Sequence, residues 1–330
     1  MSNLRAVVVG LGTYTPARIL TNAELEQRLD TSDEWITSRT GIRERRIAGP
    51  GETASTMGAA AVEAALTDAG LPVEAIDWWV CATNTGDTVF PSTAGRILAH
   101  LGAPPRPAFD VQAGCTGFVY GLELAANAIA AGSARRAVVV GTDVLSAITD
   151  WEDRQTAVLF GDGAGAVVLE GRPGDRGILA SYLNCDGTGG PFLMLPAGGS
   201  AMPASVETVA HRQHYLKMSG REVFKFAVRA LPDAVEQVLS RAGLDLADLD
   251  LLVPHQANRR IIEAAVERFG LAPEQVVVNI ERYGNTSVAS IPLALADARA
   301  DGRLRDGRLV VVAAFGAGLT WGAAAIRWGR

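Results

Sequence analysis

The chain has 330 residues, 48% of them hydrophobic and 20% charged, an ordinary globular composition and enough to bury a large core in two domains or two fused halves. Its net charge of −6 argues against nucleic acid as a partner, because phosphate-backbone binding draws on clustered positive charge. The three cysteines, Cys81, Cys115 and Cys185, lie too far apart for a disulfide framework or a zinc cluster, and no stretch approaches the roughly eighteen apolar residues of a membrane span.

The chain opens on the apolar run AVVVGLG (6–12), which reads as a strand and is too short for a signal-peptide core, predicting a cytoplasmic protein. An Ala-rich helical pattern, TMGAAAVEAALTDAG, leads to a strand at WWVCA; the short run in FDVQAGCTGF leads to a second helical pattern, GFVYGLELAANAIAAG, and then to RAVVVG. After the turn-rich stretch EGRPGDRG (170–177), helix AVEQVLSRAGL is followed by strands at DLLVP, QVVVN and RLVVVAA. Continuous apolar strands interleaved with helices predict parallel-type sheets covered on both faces.

The order repeats. AVEAALTDAGL (61–71) and AVEQVLSRAGL (234–244) agree at seven of eleven positions, and at the same offset of 173 IDWWV lies over LDLLV. RAVVVG lies over RLVVVA at an offset of 172. The sequence therefore reads as two similar α/β halves, residues 1–172 and 173–330, packed in layers.

Three residues stand out. Cys115, set among Ala113, Gly114, Thr116 and Gly117, occupies a sharp strand-to-helix turn suited to a nucleophile, where a helix N-terminus would lower the thiol pKa and offer an N–H to an oxyanion. A buried structural cysteine is the alternative. His255 follows the strand in LLVPHQANRR; hydrogen bonding or proton transfer and a purely structural histidine both fit. Asn285 in RYGNTS would ordinarily be an N-cap, but the repeat sets it opposite Cys115 at an offset of 170. The glycine-rich stretches FGDGAGAVVLE and AFGAGLTWG lack the Walker lysine and read as hairpin turns or close backbone approaches to a ligand.

Taken in order, TSDEWITSRTGIRERRIA, the Cys115 turn, FGDGAG, VPHQANRRII, RYGNTS and AFGAGLTWG make the sequence similar to the β-ketoacyl-acyl carrier protein synthase III family, the initiating condensing enzymes of fatty-acid synthesis. The resemblance implies an α/β, thiolase-like fold with two duplicated halves in an αβαβα arrangement. It implies Cys115, His255 and Asn285 as the catalytic set, with backbone N–H groups of Cys115 and Ala317 as the oxyanion hole. Trp35, Arg39, Arg154, Arg221 and Asn258 would contact CoA, with Arg43 near its phosphates. Lys225 and Arg260 would dock the carrier protein. Phe90, reaching from a partner subunit, and Phe315 would bound the primer pocket. The substrates would be acyl-CoA and malonyl-acyl carrier protein, the assembly a homodimer, and no metal or resident cofactor would be needed.

The chain departs from that pattern at Gln155 after Arg154, at Arg221 in place of an asparagine, and at Ala317 in place of a glycine; residues 184–218 match least. A synthase III-like acyltransferase or ketide synthase of specialised metabolism is one alternative. A Cys-His-Asn hydrolase is another, against which stands the lack of a C-G-[SA]-C-[WY] signature.

Overall fold

This computed structural model describes residues 4–329. Strand β1 (Leu4–Tyr14) is followed by the small pair β2 (Arg18–Thr21) and β3 (Glu44–Ile47), with helices α1 (Asn22–Glu26) and α2 (Asp33–Thr40) between them. Then come α3 (Ala54–Ala69), β4 (Trp78–Ala82), α4 (Thr93–His100), β5 (Ala108–Val111), α5 (Gly117–Ala130), β6 (Arg136–Asp143), α6 (Arg154–Ala157) and β7 (Gly163–Pro173). The second series is β8 (Gly177–Cys185), the short pair β9 (Leu193–Met194) and β10 (Lys217–Met218) around α7 (Val206–Ala210), then α8 (Gly220–Ala242), β11 (Leu251–Pro254), α9 (Arg259–Phe269), α10 (Ile280–Tyr283), α11 (Ser290–Ala300), β12 (Leu309–Gly316) and β13 (Thr320–Arg327).

One sheet runs β1-β7-β6-β4-β5 and the other β11-β12-β13-β8. Read from β8, the second repeats the first: two antiparallel pairings are followed by parallel ones, and Leu252 bridges in parallel to Val276 where a fifth strand would stand. The antiparallel pairings of β1, β7, β8 and β13 correct the expectation of parallel sheets. An apolar run reports burial on both faces; direction is set by connections, and the tight turn joining β12 to β13 admits only an antiparallel pair.

Alternation along each strand divides the core. Val139, Val310 and Val312 face inward with Val80 and Val253, where α5 (Phe118, Leu122, Ile129) and α11 (Ile291, Leu295) fill the space between the sheets. Val138 and Val140 face α3 and α4, while Val311 and Ala313 face α8 and α9. The layers are therefore αβαβα. Among the described residues no helix is long and apolar enough to cross a membrane.

Candidate active site

Two chain corners and the end of β11 build the site. After β5, Gly114 adopts φ +52°, and a Cβ there would lie 2.6 Å from both N and O of Ala317, so glycine alone lets this loop press on the β12–β13 turn. Thr320 Oγ1 donates to Ala113 O at 2.8 Å and is hydrogen-bonded to Thr116 Oγ1 at 3.0 Å, clamping the two loops together. Cys115 is thereby held just ahead of α5, with the backbone of Ala317 against its own loop.

The second corner follows α10. Asn285 N donates to Leu159 O and Gly161 N donates to Asn285 O, each at 2.9 Å. A Cβ on Gly161 would lie 2.3 Å from Tyr283 O, so the close backbone approach at FGDGAG is made to the chain itself rather than to a ligand. The AFGAGLTWG stretch is the β12–β13 hairpin. Asn285 Oδ1 accepts from Ser287 N at 2.9 Å, the local cap its residue type suggests; because the oxygen is thus engaged, the NH2 end remains for a ligand.

His255 follows β11, its backbone N–H donating to Ala313 O at 2.8 Å. Its Nδ1 is hydrogen-bonded to Ser290 Oγ at 2.6 Å, and its ring meets Phe315 edge-on with centroids 5.5 Å apart. Burial pushes its pKa down to about 3, so the imidazole is neutral at physiological pH.

A cavity of about 100 Å³ is lined by Cys115, His255, Asn285, Asn258, Phe224 and Phe315. A second, of about 170 Å³, is lined by Cys115, Asn84, Leu145, Ile148, Leu195 and Ser287. Cys115 is thus the junction between them. Its thiol is not acidified as the helix N-terminus had suggested: burial pushes its pKa up to about 12, aided by the charge of Asp143, and the hydrogen bond from Ser287 only partly offsets this. At rest the thiol and the imidazole are both uncharged.

The remaining expected site residues fall around the rim. Arg154 lies over the Trp35 ring at 4.9 Å and donates to Asp30 O at 2.6 Å, so the two side chains stack on each other. Arg39 and Arg43 are exposed. Asn258 lines the smaller cavity, but its amide is committed within the chain, capping α9 through Arg260 N at 2.9 Å and donating to Arg39 O at 3.1 Å. Arg221 and Lys225 are exposed on the first turns of α8, with Lys225 paired to Glu222 at 2.9 Å, and Arg260 covers Phe224 at 5.1 Å.

Phe90 is 84% exposed and lines neither cavity of its own chain. Phe315, which the resemblance sets at the primer pocket, lines the cavity that holds Cys115 and His255. Alternation along β12 turns it toward α8 and α9, away from the inward-facing Ala314. Sequence reading passed over Ser287, Ser290, Asn84 and Asp143. The one available signal was Asp143, a carboxylate closing the apolar strand RAVVVGTD.

Residues 109–187 match the family described as 3-oxoacyl-[acyl-carrier-protein (ACP)] synthase III, and residues 239–328 match its C-terminal counterpart. A beta-ketoacyl-[acyl-carrier-protein] synthase III of Symbiobacterium thermophilum is 55% identical over 323 residues, which span 98% of each chain. The crystal structure of 3-oxoacyl-(acyl carrier protein) synthase III from Pseudomonas aeruginosa is 47% identical, with a TM-score of 0.91 and 99% of both chains covered. The priming β-ketosynthase of the R1128 polyketide pathway is 38% identical, with a TM-score of 0.91 over 99% of this chain and 98% of that one.

Proposed function

The chain belongs to the 3-oxoacyl-[acyl-carrier-protein] synthase III family, condensing acyltransferases of fatty-acid synthesis, and we propose a route by which its own residues join an acyl-CoA primer to malonyl-acyl carrier protein. The observation that supports the route best is the meeting of Cys115, His255 and Asn285 around one cavity, with a second cavity behind the sulfur.

In the first step Cys115 Sγ attacks the primer thioester carbonyl, with the N–H groups of Cys115 and Ala317 receiving the oxyanion. The bond to the CoA sulfur breaks, and the proton that leaves the thiol ends on CoA. A thiol this hard to ionise gives up its proton as attack proceeds, not beforehand. The acyl chain enters the larger cavity, where Leu145, Ile148 and Leu195 supply apolar contact. At about 170 Å³ it resembles in size the engineered apolar cavity of roughly 150 Å³ that holds benzene, which suits a short acyl group.

In the second step malonyl-acyl carrier protein occupies the smaller cavity. The electrons of the breaking C–CO₂ bond form an enolate, whose oxygen receives hydrogen bonds from His255 Nε2–H and the Asn285 amide. The route assigns the neutral ring's proton to Nε2, with the Ser290 hydroxyl, 2.6 Å from Nδ1, as the donor to that nitrogen. The enolate carbon attacks acyl-Cys115 to give 3-oxoacyl-acyl carrier protein, and the released thiolate regains a proton from solvent. The chemistry is written without a metal or resident cofactor, since CO₂ loss itself supplies the carbon nucleophile.

Trp35, Arg154, Arg39 and Arg221 are assigned to CoA, and Lys225 and Arg260 to the acidic carrier protein. The apolar loop tip formed by Val89 and Phe90, 92% and 84% exposed, supports a homodimer in which Phe90 reaches the partner's primer pocket. Work in the cytoplasm belongs to the same reading. The likeness to a polyketide priming enzyme favours, as a second reading, a primer drawn from specialised metabolism.

Incubation with radiolabelled acetyl-CoA should leave an acetyl group on Cys115, with labelled 3-oxoacyl product formed only after malonyl-acyl carrier protein is added. An adduct that never condenses, or rapid release of free acetate, would overturn the reading in favour of simple acyl transfer or hydrolysis.

A further inference from the structure

Behind the nucleophile lies a buried polar chain that the route above does not use. Asp143 closes β6 and is fully buried. Its Oδ1 accepts from Asn84 N at 2.7 Å, Thr85 Oγ1 at 2.9 Å and Thr83 Oγ1 at 3.2 Å, and its Oδ2 accepts from Asn84 Nδ2 at 2.9 Å. Thr85 is fixed in turn, its hydroxyl oxygen accepting from Val144 N at 2.7 Å. Among the described residues no arginine or lysine pairs with this carboxylate, whose partners are Thr83, Asn84 and Thr85.

Donor and acceptor roles along the chain are dictated by chemistry. A carboxylate only accepts, so Asn84 turns its NH2 group toward Asp143. The second hydrogen of that group points at Ser287 Oγ, 3.2 Å away. The serine oxygen is thereby an acceptor, and its own proton has two acceptors nearby, the Asp143 carboxylate and Cys115 Sγ, of which the sulfur at 3.3 Å is the one met with hydrogen-bond geometry. Ser287 holds this position at φ +51°, in the left-handed region that non-glycine residues rarely adopt. Glycine would sit there without strain, so what serine adds at this point is its hydroxyl.

We propose that Asp143, Asn84 and Ser287 form a directed hydrogen-bond chain that aims the Ser287 hydroxyl proton at the Cys115 sulfur, stabilising the thiolate as it forms and when condensation releases it. Ser287, in contact with the reacting atom, is a catalytic residue; Asn84 and Asp143 are positioning residues that act through it. A hydrogen bond to sulfur strengthens as negative charge develops there, which is when the buried thiol most needs a partner. The titratable groups around that sulfur are Asp143 beyond Ser287 and His255 across the cavity, and the burial of Cys115 and Asp143 disfavours charge on each. The inference rests on Cys115 being the nucleophile.

Its test reads the thiol directly. The rate of Cys115 alkylation by iodoacetamide is followed against pH, with the site located by peptide mass because the exposed Cys185 will react as well. Ser287→Gly removes the hydroxyl and relieves the backbone, so its melting temperature should not fall. Its alkylation should nevertheless slow about 10- to 100-fold at each pH below the thiol pKa, the worth of one hydrogen bond to a charged group. Asn84→Ala keeps the hydroxyl but frees its orientation, and should shift the profile in the same direction by less.

An unchanged profile in a folded Ser287→Gly protein overturns the proposal, as does slower condensation with wild-type alkylation, which would make Ser287 a matter of cavity shape. If the profile shifts as stated but acyl-CoA leaves no adduct on Cys115, the hydrogen-bond chain stands and the condensing route fails.

Discussion

The corner after β5 and the corner after α10 stand at matching places in the two halves, yet each is held by the other half in its own way. Cys115 is fixed by contact: Gly114 against Ala317, and Thr320 against Ala113. Asn285 is fixed by two backbone hydrogen bonds to Leu159 and Gly161. In both cases the support is the segment that leads into the last strand of the opposite half, β13 for one and β7 for the other. Duplication therefore explains why the corners meet, and the side chains explain why they differ. One corner offers a sulfur that burial keeps protonated; the other offers an amide whose oxygen is tied down and whose NH2 group is left to donate. Neither corner brings a charge of its own into the site before substrate arrives.

That division of labour can be broken at three levels. The largest effect should come from the donors: His255→Ala or Asn285→Ala should lower the condensation rate about 10²–10³-fold, as loss of an oxyanion donor does elsewhere, measured as steady-state product formation. Equal losses from both would place them on one oxygen; a loss confined to either would separate their roles.

The support of the first corner is the next target. Gly114→Ala places a Cβ on the Ala317 backbone at a positive φ and should cost about 1–3 kcal/mol of stability, seen as a lower denaturation midpoint together with loss of acylation. A fully stable and active alanine variant would show that the contact does not fix the nucleophile. The smallest effect belongs to the rim. Lys225→Ala and Arg260→Ala should each raise the KM for the carrier protein only about two- to fivefold, with a weaker dependence on salt, since exposed charges contribute about 0.2–1 kcal/mol each.

The repeat was legible because helices α3 and α8 and strands β4 and β11 kept their residues as well as their pattern. Cys115 and His255 were legible because each interrupts a strand-to-helix corner with a residue that the corner does not require, whereas Asn285, a local cap following α10, was singled out by the repeat that sets it opposite Cys115. Strand direction was not legible, since an apolar run encodes burial and not polarity. Asn258 caps α9, as its place at the start of that helix suggests, and it also lines the smaller cavity. The chain from Asp143 through Asn84 to Ser287 joins residues up to 203 positions apart, a distance over which only the fold specifies a contact.

The account turns on the first corner working alone in acyl transfer and the second serving only the condensation. Single-turnover acylation of Cys115 by acetyl-CoA, measured by intact mass in a protein carrying both His255→Ala and Asn285→Ala, tests this directly. The account predicts acylation within about tenfold of the unmodified protein while 3-oxoacyl product falls by the full 10²–10³-fold or more. Acylation lost in parallel with condensation would contradict it and would make sulfur, imidazole and amide a single catalytic unit.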